Sequence, residues 1–362
     1  MYLNKLSISE FKNISGATLD FSPNLNCITG INGSGKTNVL DAVYYLSMTK
    51  SYFSNPDSQS IAYSARQCHV SGEYTRFDAS KDIISFSIER NGSKVFKRNS
   101  KNYSKLSDHI GVIPIVMVSP YDTCLVNESG EERRRFLNSI LSQLDAEYLR
   151  RLQNYNQLLQ QRNRLLKLEN INEDLLDTFT SRLSVNASYI YDKREEFTLL
   201  LTPIVKKYYN LISGKREEIS IEYVSELRES SLEQLLAINR EKEKILKFTS
   251  AGIQRDDLLF SMNGHKFRLC GSQGQQKTFL ISLKLAQFEI MREMYKKQPI
   301  LLLDDVFDKL DMTRVEALLG LVSSDIFGQI FITDSNKVRV KEILDTIGGD
   351  SALFELNGGD LR

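Results

Sequence analysis

The sequence contains no tryptophan and few of the side chains that bind soft metals. Its 362 residues include three histidines and four cysteines. The cysteines are far apart and form no C-x-x-C pair; they are Cys27, Cys68, Cys124 and Cys270. Because a zinc site needs ligands at close, repeated spacing, this distribution argues against zinc. It favours free thiols that are buried in a reducing cytosol.

Long apolar runs are also absent, and because no signal pattern is seen near residue 1 we expect no secretory leader. No run approaches the ~18 residues that a membrane-spanning helix needs. We therefore expect a cytoplasmic protein with no membrane partner. The composition, 41% hydrophobic and 26% charged, is that of a globular protein with a large core. The formal net charge of +1 means that any surface for nucleic acid must collect basic residues on one face.

Residues 30–37 read Gly-Ile-Asn-Gly-Ser-Gly-Lys-Thr and form a complete G-x-x-x-x-G-K-[ST] phosphate-binding loop. A strand pattern at 26–29 precedes the loop and a helix pattern at 38–48 follows it, which argues against a chance glycine turn. The glycines let backbone N–H groups face a phosphate, and the helix N-terminus adds partial positive charge. We expect Lys36 to act in catalysis at the β- and γ-phosphates, and the Thr37 hydroxyl to bind Mg²⁺. The predicted nucleotide-binding residues of the loop are Gly30, Ile31, Asn32, Gly33, Ser34, Gly35, Lys36 and Thr37.

A second motif ends in two carboxylates. Residues 299–305 read Pro-Ile-Leu-Leu-Leu-Asp-Asp, and such a continuous apolar run is typical of a central parallel strand. Ligands of open α/β sheets bind at the carboxyl ends of strands, so both aspartates should lie beside the phosphate loop. We expect Asp304 to bind Mg²⁺ and Asp305 to orient or deprotonate the attacking water. The alternative is that an aspartate only caps a helix after the strand.

The stretch at 272–277, Ser-Gln-Gly-Gln-Gln-Lys, opens a third motif, a helical pattern. Serine and glycine at a helix start make a second anion-binding end. Because the phosphate loop already serves one nucleotide, this second end indicates action on a partner's nucleotide in an ATP-dependent homodimer. That is the head-to-tail arrangement of ABC-type ATPases, whose signature motif the stretch resembles. The alternative is that Ser272 only caps its own helix. The residues predicted to act in trans are Ser272, Gln273, Gly274 and Gln275.

Helical periodicity separates two halves of the ATPase lobe. Residues 131–167 lack proline and glycine and repeat apolar positions at steps of three and four, and residues 179–211 do the same after a polar turn. We expect two antiparallel helices forming a short arm; a helical subdomain folded onto the core remains an alternative. A helix at 232–248 and a hairpin within 258–270 should follow. The predicted domains are the first part of the ATPase lobe (1–120), the helical arm (121–248) and the rest of the lobe (249–362).

Taken together, the motifs resemble the RecF family of bacterial DNA replication and repair proteins, which are ABC-type ATPases with an SMC-like head. The resembling stretches are LSISEFKN at 6–13, GEERRRFL at 130–137, TSAGIQRDDL at 249–258, SQGQQK at 272–277 and LLLDDVFDKLD at 301–311. The resemblance implies an α/β fold, in which a P-loop ATPase head has a mixed β lobe and an inserted helical, short coiled-coil arm. It also implies that Lys12 and Asn13 lie at the nucleotide, with Lys12 near the adenine.

The function that this resemblance implies is ATP-dependent DNA binding in recombinational repair. ATP would close a homodimer on duplex DNA near single-strand gaps, and slow, DNA-stimulated hydrolysis would act as a switch. The protein would assist recombinase loading on the gaps, with ATP and Mg²⁺ as cofactors and RecO, RecR and RecA as partners.

Two other functions remain open, a nucleotide-binding subunit of a membrane transporter and an SMC-like structural protein. Transporter subunits usually carry LSGGQ, where this chain has SQGQQ. Many ABC ATPases also have a histidine where this chain has Thr-Asp-Ser at 333–335. These two differences oppose the first alternative, and the shortness of the arm opposes the second.

Two basic segments are candidates for contact with DNA. Arg133, Arg134 and Arg135 follow one another at the start of the first arm helix, so at most two of them share a face. The segment 94–105 holds five more basic residues, with Tyr103 among them. Contact with the phosphate backbone would give affinity without reading sequence. In both segments, ordinary solvated side chains are the alternative.

Overall fold

The computed structural model of the chain describes residues 1–53, 56–76, 78–308, 310–323, 326–347, 350–357 and 360–361. Within them the strands are β1 (Tyr2–Phe11), β2 (Ile14–Asp20), β3 (Leu25–Gly30), β4 (Gln67–Thr75), β5 (Lys81–Glu89), β6 (Lys94–Arg98), β7 (Lys101–Asn102), β8 (Ile115–Val118), β9 (Ile219–Val224), β10 (Asp257–Met262), β11 (His265–Lys266), β12 (Ile300–Asp304), β13 (Ile330–Asp334), β14 (Ser351–Asn357) and β15 (Asp360–Leu361). The α-helices are α1 (Lys36–Met48), α2 (Cys124–Asn127), α3 (Gly130–Leu144), α4 (Ala146–Leu165), α5 (Glu173–Ser213), α6 (Leu232–Ile238), α7 (Arg240–Leu246), α8 (Phe267–Cys270), α9 (Gln273–Tyr295), α10 (Met312–Val322) and α11 (Lys337–Ile347). Short 3₁₀ turns occupy Asp57–Ser60, Leu106–His109, Pro120–Thr123, Glu226–Arg228 and Ile253–Arg255.

The chain divides into two compact units. Unit 1 comprises Met1–Thr123, Tyr208–Lys215 and Ser272–Arg362, and unit 2 comprises Cys124–Lys207 and Arg216–Gly271. The phosphate loop, the two aspartates and the signature stretch therefore all belong to unit 1. The second part of the ATPase lobe was predicted to begin at 249, whereas residues 249–271 group with unit 2. The three-part division into functional domains stays a prediction.

A mostly parallel sheet in unit 1 has the strand order β15-β14-β3-β13-β12-β8. Strands β3, β12 and β13 are buried along their whole length, as expected of strands that are covered on both faces. β13 lies between β3 and β12 and pairs in parallel with both. The end of β3, where the phosphate loop begins, and the end of β12, which carries the aspartates, therefore open at the same edge of the sheet.

A second sheet in unit 1 is antiparallel, with the order β2-β1-β4-β5-β6-β7. Its strands alternate buried and more exposed positions, most regularly in β4 and β5. Helix α1 is buried at almost every position and contacts strands of both sheets. One hydrophobic core thus joins the two sheets through α1. This core fixes the position of the phosphate loop, because α1 starts from the loop.

In unit 2, α4 and α5 run antiparallel, as predicted for the arm. Asp145, at the start of α4, accepts a hydrogen bond from Tyr189 at 2.6 Å, and Arg162, near its end, donates to Thr180 at 3.2 Å. The 41 residues of α5 extend about 62 Å at ~1.5 Å per residue. A small buried cluster closes the end of this helical hairpin; it comprises Leu165, Leu166 and Leu176. A three-stranded antiparallel sheet, β11-β10-β9, also belongs to this unit.

Two predicted helices are each divided in the structure. The prediction of one continuous helix at 131–167 was wrong, because α3 and α4 meet at Asp145. The Asp145 carboxylate accepts hydrogen bonds from the N–H groups of Glu147 and Tyr148 and so caps a new helix. The prediction of one continuous helix at 232–248 was also wrong, since α6 and α7 meet at Asn239. The Asn239 side chain donates to the carbonyl of Leu235, a local bond of the kind that competes with helix continuation.

The hairpin predicted within 258–270 forms only in part. β10 pairs with a strand of two residues, His265–Lys266, and the next four residues form the helical turn α8. This turn buries Phe267, which a strand would have had to place in the small sheet instead. Cys270 is exposed, so the expectation of a buried thiol was wrong there. The buried cysteines are Cys27, Cys68 and Cys124.

Candidate nucleotide site

The phosphate loop has a backbone that only glycine adopts easily. Gly33 and Gly35 have φ of 80° and 107°, in the left-handed region that a side chain disfavours. A Cβ atom at Gly30 would lie 2.5 Å from the carbonyl oxygen of Leu356, so no side chain fits there. The Lys36 ammonium donates to the carbonyls of Gly30 at 2.9 Å and Ile31 at 3.2 Å. The loop therefore curls back over its own lysine.

Asn13, in the turn between β1 and β2, makes hydrogen bonds to the phosphate loop and to α1. Its amide nitrogen donates to the carbonyl of Gly33 at 2.9 Å, and its oxygen accepts from Asn38 at 2.6 Å. The same oxygen would lie 3.0 Å from a Cβ atom at Gly35. Asn13 thus lies against the loop, and its predicted contact with the nucleotide stays a prediction.

Within the part of the chain that the structure describes, the buried hydroxyl of Ser34 has no hydrogen-bond partner. Buried polar atoms are rarely left unpaired in proteins, so such an atom calls for an explanation. Ser34 lies in the middle of the loop, next to two glycines. A phosphate oxygen is the kind of acceptor that would satisfy it, and this observation fits a bound nucleotide.

Asp304, at the end of β12, is held by hydroxyl groups from three other elements. It accepts hydrogen bonds from Thr37 at 2.9 Å and Thr333 at 2.7 Å, and Ser119 lies 3.5 Å away. Burial raises the pKa of Asp304, and the hydroxyl bonds oppose that shift. Asp304 was predicted to lie beside the phosphate loop, and the structure shows it in direct contact with Thr37 of that loop.

Thr37 and Asp304 fit Mg²⁺ by chemistry as well as by position. Mg²⁺ in nucleotide sites is bound by one or two protein oxygens together with the phosphates, without an all-protein cage. A hydroxyl and a carboxylate oxygen in contact are such a pair. In keeping with this sparse protein coordination, no group of three or more His, Cys, Asp or Glu side chains suited to a metal occurs among the described residues.

Asp305 differs from Asp304 in its backbone conformation and in the surroundings of its carboxylate. Its φ is 45°, and its N–H donates to the carbonyl and hydroxyl oxygens of Thr333 at 3.2 and 3.1 Å. Among the described residues its carboxylate has no hydrogen bond or ion pair. Burial, followed by the charge of Asp304, raises the pKa of Asp305, while Lys36 opposes the shift. A raised pKa makes this carboxylate a stronger base than a solvated aspartate.

Lys12 has an ion-pair partner within its own unit. Its ammonium lies 2.6 Å from Asp41, a fully buried residue of α1, and 5.3 Å from the centre of the Phe53 ring. Asp41 also accepts hydrogen bonds from the Ser51 hydroxyl and the Tyr52 N–H. Lys12 therefore anchors the end of β1 to α1, and its predicted place near the adenine stays a prediction.

Ser272 caps the helix that it precedes. Its hydroxyl accepts a hydrogen bond from the N–H of Gln275 at 3.3 Å, and the side-chain oxygen of Gln275 accepts one from the N–H of Ser272 at 2.8 Å. Ser272 and Gln273 are exposed, and Gly274 and Gln275 are partly exposed. The capping alternative is thus realised, and the exposure leaves the helix start accessible to a second molecule.

Three side-chain contacts in unit 1 were not predicted from the sequence. Lys277 donates to the carbonyls of Asp305 at 3.0 Å and Asp308 at 2.6 Å, so the signature helix reaches the turn after β12. Lys284 lies 3.0 Å from the buried carboxylate of Asp122. At the end of β13, Asp334 pairs with Arg339 at 3.0 Å; it belongs to the stretch 333–335, where many ABC ATPases have a histidine and this chain has none. Of the three basic residues, only Lys277 lay in a motif noted in the sequence, as the last residue of the stretch at 272–277.

Comparison with known proteins identifies relatives over the whole chain. The family model described as the RecF/RecN/SMC N terminal domain matches residues 2–349. The DNA replication and repair protein RecF of Parabacteroides distasonis is 46% identical over 100% of this chain and 99% of that protein. The RecF protein of Flavobacterium johnsoniae is 42% identical over 98% of this chain and 100% of that protein.

Solved structures agree with these relatives. A structure of the recombination mediator protein RecF with ATP, described as part of the RecFOR pathway, is 29% identical and has a TM-score of 0.90. It covers 100% of this chain and 97% of its own. The Smc head domain of Pyrococcus furiosus, with an extended coiled coil, has a TM-score of 0.59 at 14% identity over 100% of this chain and 95% of that one, which supports the fold alone. The predicted fold class, an ATPase head with an inserted helical arm, is confirmed. Among the described residues, no helix has the length and hydropathy to cross a membrane.

Proposed function

Because this chain belongs to the RecF family of DNA replication and repair proteins, and has its ABC-type ATPase head, we propose that it is an ATP-dependent DNA-binding protein of recombinational repair. ATP would close a head-to-tail homodimer on duplex DNA near single-strand gaps, and the closed dimer would assist recombinase loading there. We place this action in the cytoplasm, with RecO, RecR and RecA as the partners that the family implies. The observation that carries the proposal is the meeting of the phosphate loop, Asp304 and Asp305 at one edge of the parallel sheet.

Binding of ATP would use the loop's backbone and three of its side chains. The N–H groups of residues 33–36 would surround the β-phosphate at the start of α1, where the helix dipole adds positive charge. Lys36 would exchange its bonds to the Gly30 and Ile31 carbonyls for the β- and γ-phosphates, and Ser34 would gain a partner. Thr37 and Asp304 would hold Mg²⁺, which when bound would neutralise part of the negative charge of the phosphates.

Hydrolysis would depend on Asp305. Its carboxylate has no partner among the described residues, and burial and Asp304 raise its pKa, so it is suited to accept a proton from water. The bonds that Thr333 and Lys277 make to the Asp305 backbone hold the turn that carries it.

The signature residues would act on the nucleotide of the second copy. Ser272 and Gln273 are exposed at the start of a helix of 23 residues, where N–H groups and dipole favour an anion. The γ-phosphate of the partner's ATP would then hold the two copies together. Closure would depend on ATP, and hydrolysis would release it.

Sedimentation velocity with and without ATP and gapped duplex DNA tests the proposal. The parent protein should sediment as a monomer without ATP, as a dimer with ATP, and as a larger complex when gapped DNA is added. Lys36→Met removes the cation aimed at the phosphates and should remain a monomer at the same ATP concentration. Normal ATP-dependent dimerisation by this variant would show that the loop does not control closure.

A further inference from the structure

A cavity in unit 2, lined by both polar and apolar groups, has no role in the nucleotide chemistry. Its volume is about 210 Å³, below the ~300–1,000 Å³ typical of small-molecule sites, so it suits a single group of a larger ligand. It is lined by the first turns of α3, by residues of α4 and α5, and by the 3₁₀ turn Ile253–Arg255. The first and last of these segments were singled out in the sequence, and neither is used by the ATPase site.

Arg134 differs from the other arginines around this cavity. Arg133 pairs with Asp257, Arg135 with Glu131 and Glu132, and Arg194 with Asp256. In the part of the chain that the structure describes, no carboxylate lies within 4.0 Å of the Arg134 guanidinium. Its one hydrogen bond goes to the backbone carbonyl of Asp256, at 2.8 Å. Four of its five N–H donors are therefore left for a ligand or water.

Other donors around the cavity are also unused. Asn138 accepts hydrogen bonds through its oxygen from Tyr148 and Arg194, which leaves its NH₂ group without an acceptor among the described residues. Asn156 is exposed at the cavity and makes no side-chain hydrogen bond within the described part of the chain. Gln254 already accepts from Tyr155 and donates to Ala251. The unpaired groups are thus mainly donors, and they call for a ligand rich in acceptor oxygens.

The charges around the cavity favour the same ligand. Glu131 is the one carboxylate that lines it, and Arg135 lies 3.1 Å from that carboxylate. Burial, followed by the neighbouring charge of Arg194, lowers the pKa of Arg134, and nearby carboxylates only partly offset this. Its positive charge is therefore incompletely compensated in the protein alone. An anion would supply the missing compensation.

We propose that this cavity binds one backbone phosphate of duplex DNA, with Arg134, Asn138 and Asn156 as its donors. The proposal rests on the proposed DNA-binding function and adds to it a contact site outside the nucleotide site. Free phosphate has the same binding chemistry, so the test separates these two sources. An acidic segment of a protein partner is the competing occupant.

Two variants test the cavity by fluorescence anisotropy with labelled duplex DNA and ATP. Arg134→Gln removes the guanidinium, and Asn156→Asp places a negative charge at an exposed position where the fold tolerates it. Arg150→Gln and Asn186→Asp are the matched controls, since Arg150 is exposed and paired with Glu147, Asn186 lies on α5, and neither lines the cavity. Circular dichroism and Tm establish that each variant is folded.

We expect each cavity variant to weaken DNA binding about tenfold, the loss of one charge-assisted contact. Arg134→Gln should also make the slope of log Kobs against log[salt] shallower by about 0.9, the value for one phosphate. The controls should match the parent in affinity and slope. Parent-like DNA binding by both cavity variants overturns the proposal. Suppose that DNA binding is parent-like, and that inorganic phosphate raises the Tm of the parent but not of Arg134→Gln; the cavity then binds free phosphate. If DNA binding is parent-like and the variant instead loses binding of an acidic peptide, the cavity binds a protein. If the parent itself does not bind duplex DNA with ATP, the proposed function fails first, and this site fails with it.

Discussion

The Lys277 ammonium lies 3.0 Å from the backbone carbonyl oxygen of Asp305 and 2.6 Å from that of Asp308. Lys277 is the last residue of the signature stretch at 272–277, and Asp305 is the carboxylate proposed to activate water. One lysine thus connects the start of α9 to the turn after β12 in the same chain. If Ser272 contacts the partner's nucleotide, the hydrogen bonds of Lys277 connect that contact to the position of Asp305, the proposed base, in the nucleotide site of its own chain.

Lys277→Met should uncouple these two events. The methionine keeps the length of the side chain but donates no hydrogen bond, so the turn carrying Asp305 loses one of its fixed points. We expect kcat to fall about ten- to a hundredfold, because a displacement of about 1 Å at a reacting group can have that effect. The KM for ATP and ATP-dependent dimerisation should stay near the parent values, as measured by steady-state hydrolysis and sedimentation.

Lys277→Arg is the control for this variant, since it keeps a cation that can donate to both carbonyls. It should recover part of the lost kcat without changing the KM. A parent-like kcat in Lys277→Met at saturating ATP would mean that the lysine only supports the fold of α9.

Asp305→Asn should bind ATP and close the dimer but hydrolyse slowly, because an amide keeps the shape and loses the base. The pH profile gives a second readout. The pKa of Asp305 is raised, so the rate of the parent should increase as the pH rises through that shifted value, and fall below it as the carboxylate becomes protonated. This limb should lie at higher pH than for a solvated aspartate, and it should disappear in Asp305→Asn. An unchanged rate in the variant would assign the base to another residue.

The nucleotide site could be predicted well because its chemistry lies in short continuous strings. The loop at 30–37 specifies its own turn, and the apolar run before Asp304 specifies a buried parallel strand. The meeting of Thr37 with Asp304 followed from the rule that strand ends open at one edge. By contrast, Lys284 reaches Asp122 across more than 160 residues of sequence, and no local pattern encodes that distance.

The errors in the fold have a common local cause. At Asp145 and Asn239 a short polar side chain bonds to nearby backbone, and this outweighs an apolar periodicity that continues through the break. Periodicity therefore predicted which face of each helix is buried, but not where the helix is interrupted. Capping by Asp145 is visible in the sequence only if the break is already suspected.

The stability of unit 2 should depend on one buried ion pair. Arg162 and Glu243 are almost fully buried and lie 2.7 Å apart. Arg162→Met should destabilise the protein by about 3–5 kcal/mol, because it leaves the Glu243 carboxylate buried without its cation. Urea unfolding measures the change. Arg150→Met, which removes an exposed partner of Glu147, should leave the unfolding midpoint nearly unchanged. Equal effects of the two substitutions would contradict this account.

Ser272→Arg distinguishes action in trans from action in cis. Lys36 and Thr37 are intact in this variant, so the monomer should bind ATP almost as the parent does. A bulky cation replaces a small helix-capping residue at the end that should meet the partner's γ-phosphate. Dimerisation, hydrolysis and tight binding of duplex DNA should therefore fall together. Loss of ATP binding by the monomer, at unchanged stability, would instead place the motif in its own nucleotide site.

Mixing Ser272→Arg with Lys36→Met gives the sharper test. In a mixed head-to-tail dimer, the altered signature of one copy faces the altered phosphate loop of the other, so both lesions fall in one site. The second site then has a normal Lys36 from one chain and a normal Ser272 from the other. We expect ATP-dependent dimers to reappear in the mixture, although neither variant forms them alone, and sedimentation with one copy fluorescently labelled detects them. A motif acting in cis leaves each copy with its own defect, and the mixture would then recover nothing.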